Sequence, residues 1–284
     1  MSRGYPEGAL ERVQEIQTDI MHVVSLVCDE FDLTWFADGG TCLGAIRHEG
    51  FIPWDDDVDI ALSLDDYLTF CEVAPHVLPD EYGLYTHATT PNYPPLFAKV
   101  YKKGTRFVGH QMAEAGFDEG IFIDVFAYAQ LDSDPRKAAR QAAKLANWQR
   151  VSYLYHIAHP KVPGNLPMKS MLGAFTAAGH QLARRLFTPA QIEQHFYDAL
   201  AQGDGCGLWT NIFYTDWGTY EPEVLFPPKM APFGRLQIPV PADPETFLTT
   251  LYGDWRKLPS EAERFGDPPV ILDFGDGVNV MERS

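Results

Sequence analysis

Hydrophobic residues recur along the first third of the chain with a helical period and then with a strand-like one. Apolar residues between Leu10 and Phe31 are spaced three and four apart, which predicts one long amphipathic helix. A short apolar run from Leu33 to Ala37 predicts a strand that ends in a tight turn at Gly39 and Gly40. Two short helices are expected next, at residues 41–48 and 64–74, the second ending before Pro75. Further strands are predicted at residues 58–62, 82–86, 96–101, 106–108 and 121–128.

The pattern becomes mainly helical after residue 133. Helices are predicted at residues 136–158, 169–187, 189–201 and 243–252, and the aromatic stretch at 203–234, rich in glycine and proline, predicts irregular structure. We therefore expect an α+β fold: a mixed sheet with an N-terminal helix, followed by a mainly helical C-terminal region. The expected division places the core in residues 1–133 and a helical and irregular region, packed on it as one compact unit, in 134–284.

Charge and composition exclude several classes of protein. The 22 Lys and Arg against 39 Asp and Glu give a net charge of −17, and nucleic-acid binding needs a basic surface instead. At 45% hydrophobic residues, the chain is not of the disordered type. No stretch approaches the roughly 20 apolar residues of a membrane span. The N-terminus lacks a secretory h-region, and the four cysteines form no CxxC pair. We expect a cytoplasmic protein without nucleic-acid partners, with peripheral membrane contact left open.

Two aspartates at the start of a predicted strand are the main candidates for chemistry. Asp57 and Asp59 lie two residues apart, so their carboxylates should lie side by side on one face. Such a pair repels unless a divalent cation lies between them, and carboxylates together with substrate phosphates are the usual ligands of Mg²⁺. The alternative, that Asp55, Asp56 and Asp57 form only a solvated acidic loop or a helix cap, stays open at this stage.

A third aspartate interrupts an apolar strand. Asp124 lies within the sequence IFIDVF, where an unpaired carboxylate would be costly to bury. It is either a hydrogen-bonded structural residue or a third metal ligand on a neighbouring strand, and we favour the latter. The pair Gly39 and Gly40, at a strand end, would let the backbone approach a phosphate closely.

The segment that contains these residues resembles a known family. Residues 39–62, GGTCLGAIRHEGFIPWDDDVDIAL, are similar to the LicD signature GGTLLGAxRHxGFIPWDDDxDI, with Cys42 where leucine is usual. The similarity is expected to continue through residues 97–108, 122–126 and 238–255, and so over nearly the whole chain. This resemblance implies a nucleotidyltransferase-like fold and a phosphotransferase that uses CDP-linked donors.

The resemblance also implies roles for individual residues. Asp57, Asp59 and Asp124 would be the catalytic residues and would hold Mg²⁺ or Mn²⁺, with Asp124 also accepting the proton of the attacking hydroxyl. Gly39, Gly40 and Thr41 would line the phosphate-binding turn. The donor would be a CDP-linked alcohol with a phosphocholine-like cargo, the acceptor a glycan or glycolipid, and the released nucleotide CMP.

Three more residues are candidates for substrate binding. Arg47 has a planar guanidinium that suits phosphate oxygens, although it would equally form an ion pair with Glu49 or the acidic run. An inward Lys99 would point its ammonium at the anionic donor. Trp217, in the aromatic stretch, would contact a cationic head group through its ring face, unless the aromatic residues there only pack the C-terminal region.

Two other functions remain compatible with the sequence. A nucleotidyltransferase would use the same carboxylates but attack the phosphate of the nucleotide itself and release pyrophosphate. A non-catalytic scaffold would bind metal or nucleotide without turnover. Retention of all three candidate carboxylates argues against the scaffold, since inactive relatives commonly lose one.

Overall fold

Helices surround the central sheet in the computed structural model, which describes residues 4–158, 166–264 and 266–283. The long helix predicted from the N-terminal pattern is present, and it buries Val13, Ile20 and Val24 completely. Each such side chain contributes about 1.5–3 kcal/mol by leaving water. The helices in this part of the chain are α1 Ala9–Glu30, α2 Gly39–His48, α3 Leu64–Val77, α4 His110–Ala115, α5 Pro135–His156, α6 Leu166–Leu186, α7 Pro189–Leu200, α8 Pro222–Leu225 and α9 Pro244–Tyr252.

The strands form one mixed sheet and two small ribbons. Their bounds are β1 Trp35–Ala37, β2 Asp59–Ser63, β3 Tyr82–Tyr85, β4 Ala98–Lys102, β5 Arg106–Val108, β6 Phe122–Gln130, β7 Trp209–Asn211, β8 Lys229–Phe233, β9 Leu236–Val240 and β10 Ile271–Asp273. The main sheet has the order β1-β2-β6-β4-β3, in which only β2 and β6 run parallel. The fold is therefore α+β with a mixed sheet, as expected.

The second half of the chain contributes to the sheets of the first half. Strand β7 pairs with residues Tyr128 to Gln130 of β6, beyond the stretch of β6 that pairs with β4. Strand β10 pairs with β5, and β8 pairs with β9. The region after residue 133 thus holds strands as well as helices, and the aromatic stretch predicted to be irregular contains β7, α8 and β8. The division at residue 133 stays a prediction.

Two local predictions were wrong. Gly39 and Gly40 are not a turn before a helix but the first residues of α2, because the Asp38 side chain caps that helix and accepts from the Gly39 N–H. Helix α3 does not end before Pro75 but continues to Val77. A proline so close to the C-terminus removes only one hydrogen bond of the final turns, and its fixed φ suits a helix.

The helices also bear on membrane insertion. Among the residues that the structure describes, no helix is both long enough and apolar enough to cross a bilayer.

Candidate active site

Strand register brings two of the predicted aspartates together with the predicted lysine. Asp59, the first residue of β2, is paired with Asp124 of β6, and Asp124 is paired with Lys99 of β4 on its other side. Paired residues of neighbouring strands point to the same face of a sheet. The three side chains therefore form a row across the centre of the sheet, although they are far apart in sequence.

Asp57 precedes β2 and joins this row to the acidic run. Its charge acts on Asp59, and the charge of Asp124 acts on Asp57. Asp55, Asp56 and Asp57 form the one group of three possible ligands, among the described residues, whose atoms all lie within 4.8 Å of one another. The set Asp57, Asp59 and Asp124, implied by the resemblance, is more widely spaced than that, so its role as a metal site stays a prediction.

Burial makes this concentration of carboxylates unfavourable without a counter-charge. Burial first, and then the charges of Asp57 and Asp124, raises the pKa of Asp59 well above its usual value. Burial followed by the neighbouring Asp57 and Asp56 raises the pKa of Asp55 to about 9. Oxygen ligands that lack sufficient cationic partners are the donor set that hard cations such as Mg²⁺ bind. The residues present therefore fit a divalent cation.

Lys99 points inward as expected, but its contacts are with carboxylates of the protein. Its Nζ lies 2.9 Å from Glu119 Oε1 and 3.3 Å from Asp124 Oδ1, and it sits 3.2 Å from the ring centroid of Phe122. Burial alone would lower the pKa of Lys99, but Asp124 and Glu119 outweigh it and raise that pKa. The ammonium is thus held beside Asp124, and Glu119, which we did not predict, is the second anchor.

The sequence GGT positions the aspartates. Gly39 has a φ of +48°, and a Cβ added there would lie 2.8 Å from Asp59 Oδ2 and 3.6 Å from Trp217. A Cβ on Gly40 would lie 2.8 Å from Asp55 Oδ2. Thr41 accepts a hydrogen bond from the Asp59 N–H at 2.8 Å. The glycines are required here because carboxylates approach their backbone closely, and phosphate binding by this segment stays a prediction.

A buried polar group that we did not predict anchors the start of α2. Asp38 accepts hydrogen bonds from Tyr128 Oη at 2.9 Å and from Asn211 Nδ2 at 3.2 Å, in addition to the Gly39 N–H. Burial raises its pKa to about 6 despite these donors. Since Tyr128 lies on β6 and Asn211 on β7, no local sequence pattern could have indicated this set.

The acidic loop is held by the N-terminal helix. Gln14 and Gln17 of α1 donate to the backbone carbonyls of Asp55 and Asp56, and Tyr5 donates to Asp56 Oδ2 at 2.6 Å. These bonds fix the loop just before Asp57. They also explain why the N-terminal helix packs beside the candidate site.

Arg47 lies at the edge of the acidic cluster without forming the predicted surface ion pair. Its Nη1 donates to the carbonyl of Trp255 at 2.7 Å, and its charge is felt by Asp55. The charges of Arg264 and Tyr252, which we did not predict, act on it in turn. The Tyr252 hydroxyl faces Asp59, Asp38 and Asp55, and burial together with these charges raises its pKa. A phosphate contact by Arg47 stays a prediction.

Trp217 is next to the carboxylates. Its ring stacks on Tyr214 with centroids 4.7 Å apart and meets the Phe126 ring edge-on at 5.7 Å. It is half-buried and borders Gly39 and Asp59. The aromatic stretch thus supplies both packing and a ring face at the site, although a head-group contact stays a prediction.

Comparison with known proteins was made with this geometry in hand. Residues 32–93 match the family model "LicD/FKTN/FKRP, nucleotidyltransferase domain". The resemblance to LicD is confirmed. The matched segment contains α2, the acidic loop and β2, and hence Asp57 and Asp59, whereas Asp124 lies outside it. The expected extension of the resemblance over nearly the whole chain is not part of this match.

Individual relatives give the same picture. The chain is 29% identical over 128 residues to the lipopolysaccharide cholinephosphotransferase LicD of Haemophilus influenzae, which covers 45% of this chain and 47% of that protein. Uncharacterized proteins of Rickettsia typhi and Rickettsia prowazekii are 41% and 39% identical over 44 residues, or 16% of this chain and 14% and 16% of theirs. The chain thus spans about half or less of the length of the LicD-like relatives that it matches.

Proposed function

We propose that this chain is a divalent-metal-dependent transferase. It would move a phospho-alcohol, of which phosphocholine is the favoured example, from a CDP-linked donor to a glycan hydroxyl and release CMP. The observation that carries the proposal is the pairing of Asp59 with Asp124 across parallel strands, which adds a third carboxylate to the Asp57 and Asp59 pair. The name of the Haemophilus relative supports the phosphocholine cargo and a glycan acceptor.

The donor set suits Mg²⁺ or Mn²⁺. Asp57, Asp59 and Asp124 would hold the metal, since they offer oxygen ligands whose pKa values are raised by burial and by one another's charge. A bound divalent cation would neutralise charge on the diphosphate of the donor. The nearby Asp55 and Asp56 would hold the loop and add to the negative potential.

The remaining groups have roles that follow from their positions. An acceptor hydroxyl would attack the phosphorus that bears choline, its proton would pass to Asp124, and the bond from that phosphorus to CMP would break. Lys99 would keep Asp124 oriented through the ion pair at 3.3 Å. Arg47 and Arg264 would face the anionic nucleotide, and the ring of Trp217 would face the trimethylammonium group. A cytoplasmic location and peripheral membrane contact belong to the same proposal.

Release of CMP tests the proposal. The purified chain, freed of metal with a chelator, is incubated with CDP-choline, CDP-ribitol or CDP-glycerol, with and without Mg²⁺. We expect CMP only with Mg²⁺, and most of it from CDP-choline. Asp59→Asn should release none, whereas Asp65→Asn, at an exposed position of α3, should match the wild type. Metal-independent release, or full activity of Asp59→Asn, would contradict the proposal, and pyrophosphate formation from CTP instead would favour nucleotidyl transfer.

Calorimetry tests the link between metal and nucleotide without relying on turnover. An acidic site should bind CDP weakly on its own, so Mg²⁺ and CDP should bind with positive coupling. Coupling of about 1–3 kcal/mol would make CDP bind roughly 5- to 150-fold more tightly with Mg²⁺ present. Equal CDP affinities in both titrations would count against the metal site.

A further inference from the structure

A cavity of about 570 Å³ lies beside the row of carboxylates. It is bounded by helix α5, by the segment that follows β7, and by Gln111 of α4. Its wall includes Gln149, Tyr153, Phe213, Tyr214 and Asp216. This volume falls within the roughly 300–1,000 Å³ that small-molecule sites usually have.

The unusual feature of this cavity is the amide of Gln149. The residue is only 6% exposed, yet neither Nε2 nor Oε1 has a hydrogen-bond partner among the residues that the structure describes. Gln141, two turns earlier on the same helix, is equally buried but satisfied, since it accepts from the Asp132 N–H and donates to the Leu200 carbonyl. A buried amide left unpaired is unfavourable, so it indicates a ligand that supplies both partners.

The chemistry of the wall indicates which ligand. An amide with a free donor and a free acceptor complements a hydroxyl group, which both donates and accepts. The rings of Tyr153, Phe213 and Tyr214 offer apolar faces for the C–H surfaces of a sugar, and Asp216 adds an acceptor for further hydroxyls. A trimethylammonium group would leave the Gln149 amide unsatisfied, because it has neither an N–H donor nor an acceptor.

The cavity also adjoins the reacting groups. The Tyr153 hydroxyl lies close enough to Lys99 and Asp124 to feel their charges, and Tyr214 is likewise close to Asp124 and Asp59. Tyr214 also stacks on Trp217, the residue assigned above to the donor head group. A sugar in the cavity would therefore meet the donor at the wall formed by Tyr153 and Tyr214.

We propose that this cavity binds the acceptor sugar and that Gln149 hydrogen-bonds one of its hydroxyl groups. The inference rests on the proposed function for the identity of the transferred group. The cavity itself can be tested without turnover.

The test compares Gln149→Met with Gln141→Met, the matched change at the satisfied glutamine of the same helix. Thermal unfolding of both variants is followed at neutral pH. We expect Gln149→Met to melt at or above the wild-type temperature, because no hydrogen bond within the protein is lost. Gln141→Met should melt several degrees lower, because it leaves the Asp132 N–H without its partner. Equal destabilisation by both changes would show that the Gln149 amide is satisfied within the protein and would overturn the inference.

Ligand binding is measured on the same proteins by saturation-transfer NMR. The probes are the methyl α-glycosides of glucose, galactose and mannose. At least one should bind the wild type, and Gln149→Met should weaken it by about tenfold or more, as expected for the loss of one or two hydrogen bonds. Absence of binding to the wild type, or equal binding to Gln149→Met, would overturn the inference. Failure of the wild type to release CMP from CDP-choline would instead reject the proposed function, leaving these two measurements to judge the cavity.

Discussion

Replacing Lys99 by methionine separates two roles for this residue: holding Asp124 in place and binding the donor. In the structure the side chain is 5% exposed, and its ammonium is shared by Glu119 and Asp124. Methionine keeps most of the aliphatic volume but removes the charge. Two buried carboxylates would then lack their cation, and breaking a buried ion pair in this way costs about 3–5 kcal/mol.

This free energy is large enough to read as a melting temperature. For a chain of this size, 1 kcal/mol corresponds to about 2–4 °C, so Lys99→Met should melt roughly 6–20 °C below the wild type at pH 7.5. The control is Lys103→Met, since Lys103 is exposed and donates only to the carbonyl of Asp80. It should change stability by no more than about 0.5 kcal/mol.

The pH dependence of the same measurement gives the sign of the effect. Without the ammonium, burial raises the pKa values of Glu119 and Asp124 in the folded state above their unfolded values. Carboxyl groups with raised pKa values favour folding at low pH, and that contribution is lost as the pH rises through the folded pKa. The difference between Lys99→Met and the wild type should therefore shrink at pH 5. The reasoning is refuted if Lys99→Met melts with the wild type at pH 7.5 and only its KM for CDP-choline rises, because Lys99 would then serve the donor.

Three further changes test the surroundings of the carboxylates. Gly39→Ala should abolish CMP release in a folded protein, because its Cβ would displace Asp59 Oδ2, whereas Gly116→Ala, also at positive φ but in open space, should keep full activity; equal activity of the two variants would contradict the packing argument. Trp217→Ala should raise the KM for CDP-choline and spare CDP binding in calorimetry, and an unchanged KM would reduce Trp217 to a packing residue. Burial raises the pKa of Asp38 and of Asp56 to about 6, so metal-free protein should lose stability between pH 4 and pH 7, and Mg²⁺ should restore part of it at pH 7.5; a melting temperature that rises over this range without metal would oppose the assignment.

The elements with a clear period could be predicted from the sequence. Helix α1 and strand β5 lie within a residue of their predicted positions, and β2 begins one residue later than expected. Pairing could not be read in the same way, because the register between β2 and β6 depends on the whole sheet. The acidic run could be found, but the meeting of Asp59 with Asp124 and Lys99 required that register.

The parts of the site that the sequence did not indicate come from distant segments. Asn211 reaches Asp38 from a strand 173 residues later, and Glu119 reaches Lys99 from a loop. Neither residue lies in a pattern that marks it. Gly39 was predicted to approach a phosphate, but the close neighbour of its backbone is a carboxylate of the protein. The glycine signal was therefore informative about close approach and not about the approaching group.

The central claim is that a metal-dependent reaction moves the phospho-alcohol and releases CMP. Phosphorus NMR of CDP-choline, incubated with Mg²⁺, the wild-type chain and an acceptor glycan, tests it most directly. The account predicts loss of the diphosphate resonances and equal growth of a CMP monoester and a glycan phosphodiester, with no change in the absence of Mg²⁺ or with Asp59→Asn. Persistence of the diphosphate under all conditions, or the same products from Asp59→Asn, would contradict it.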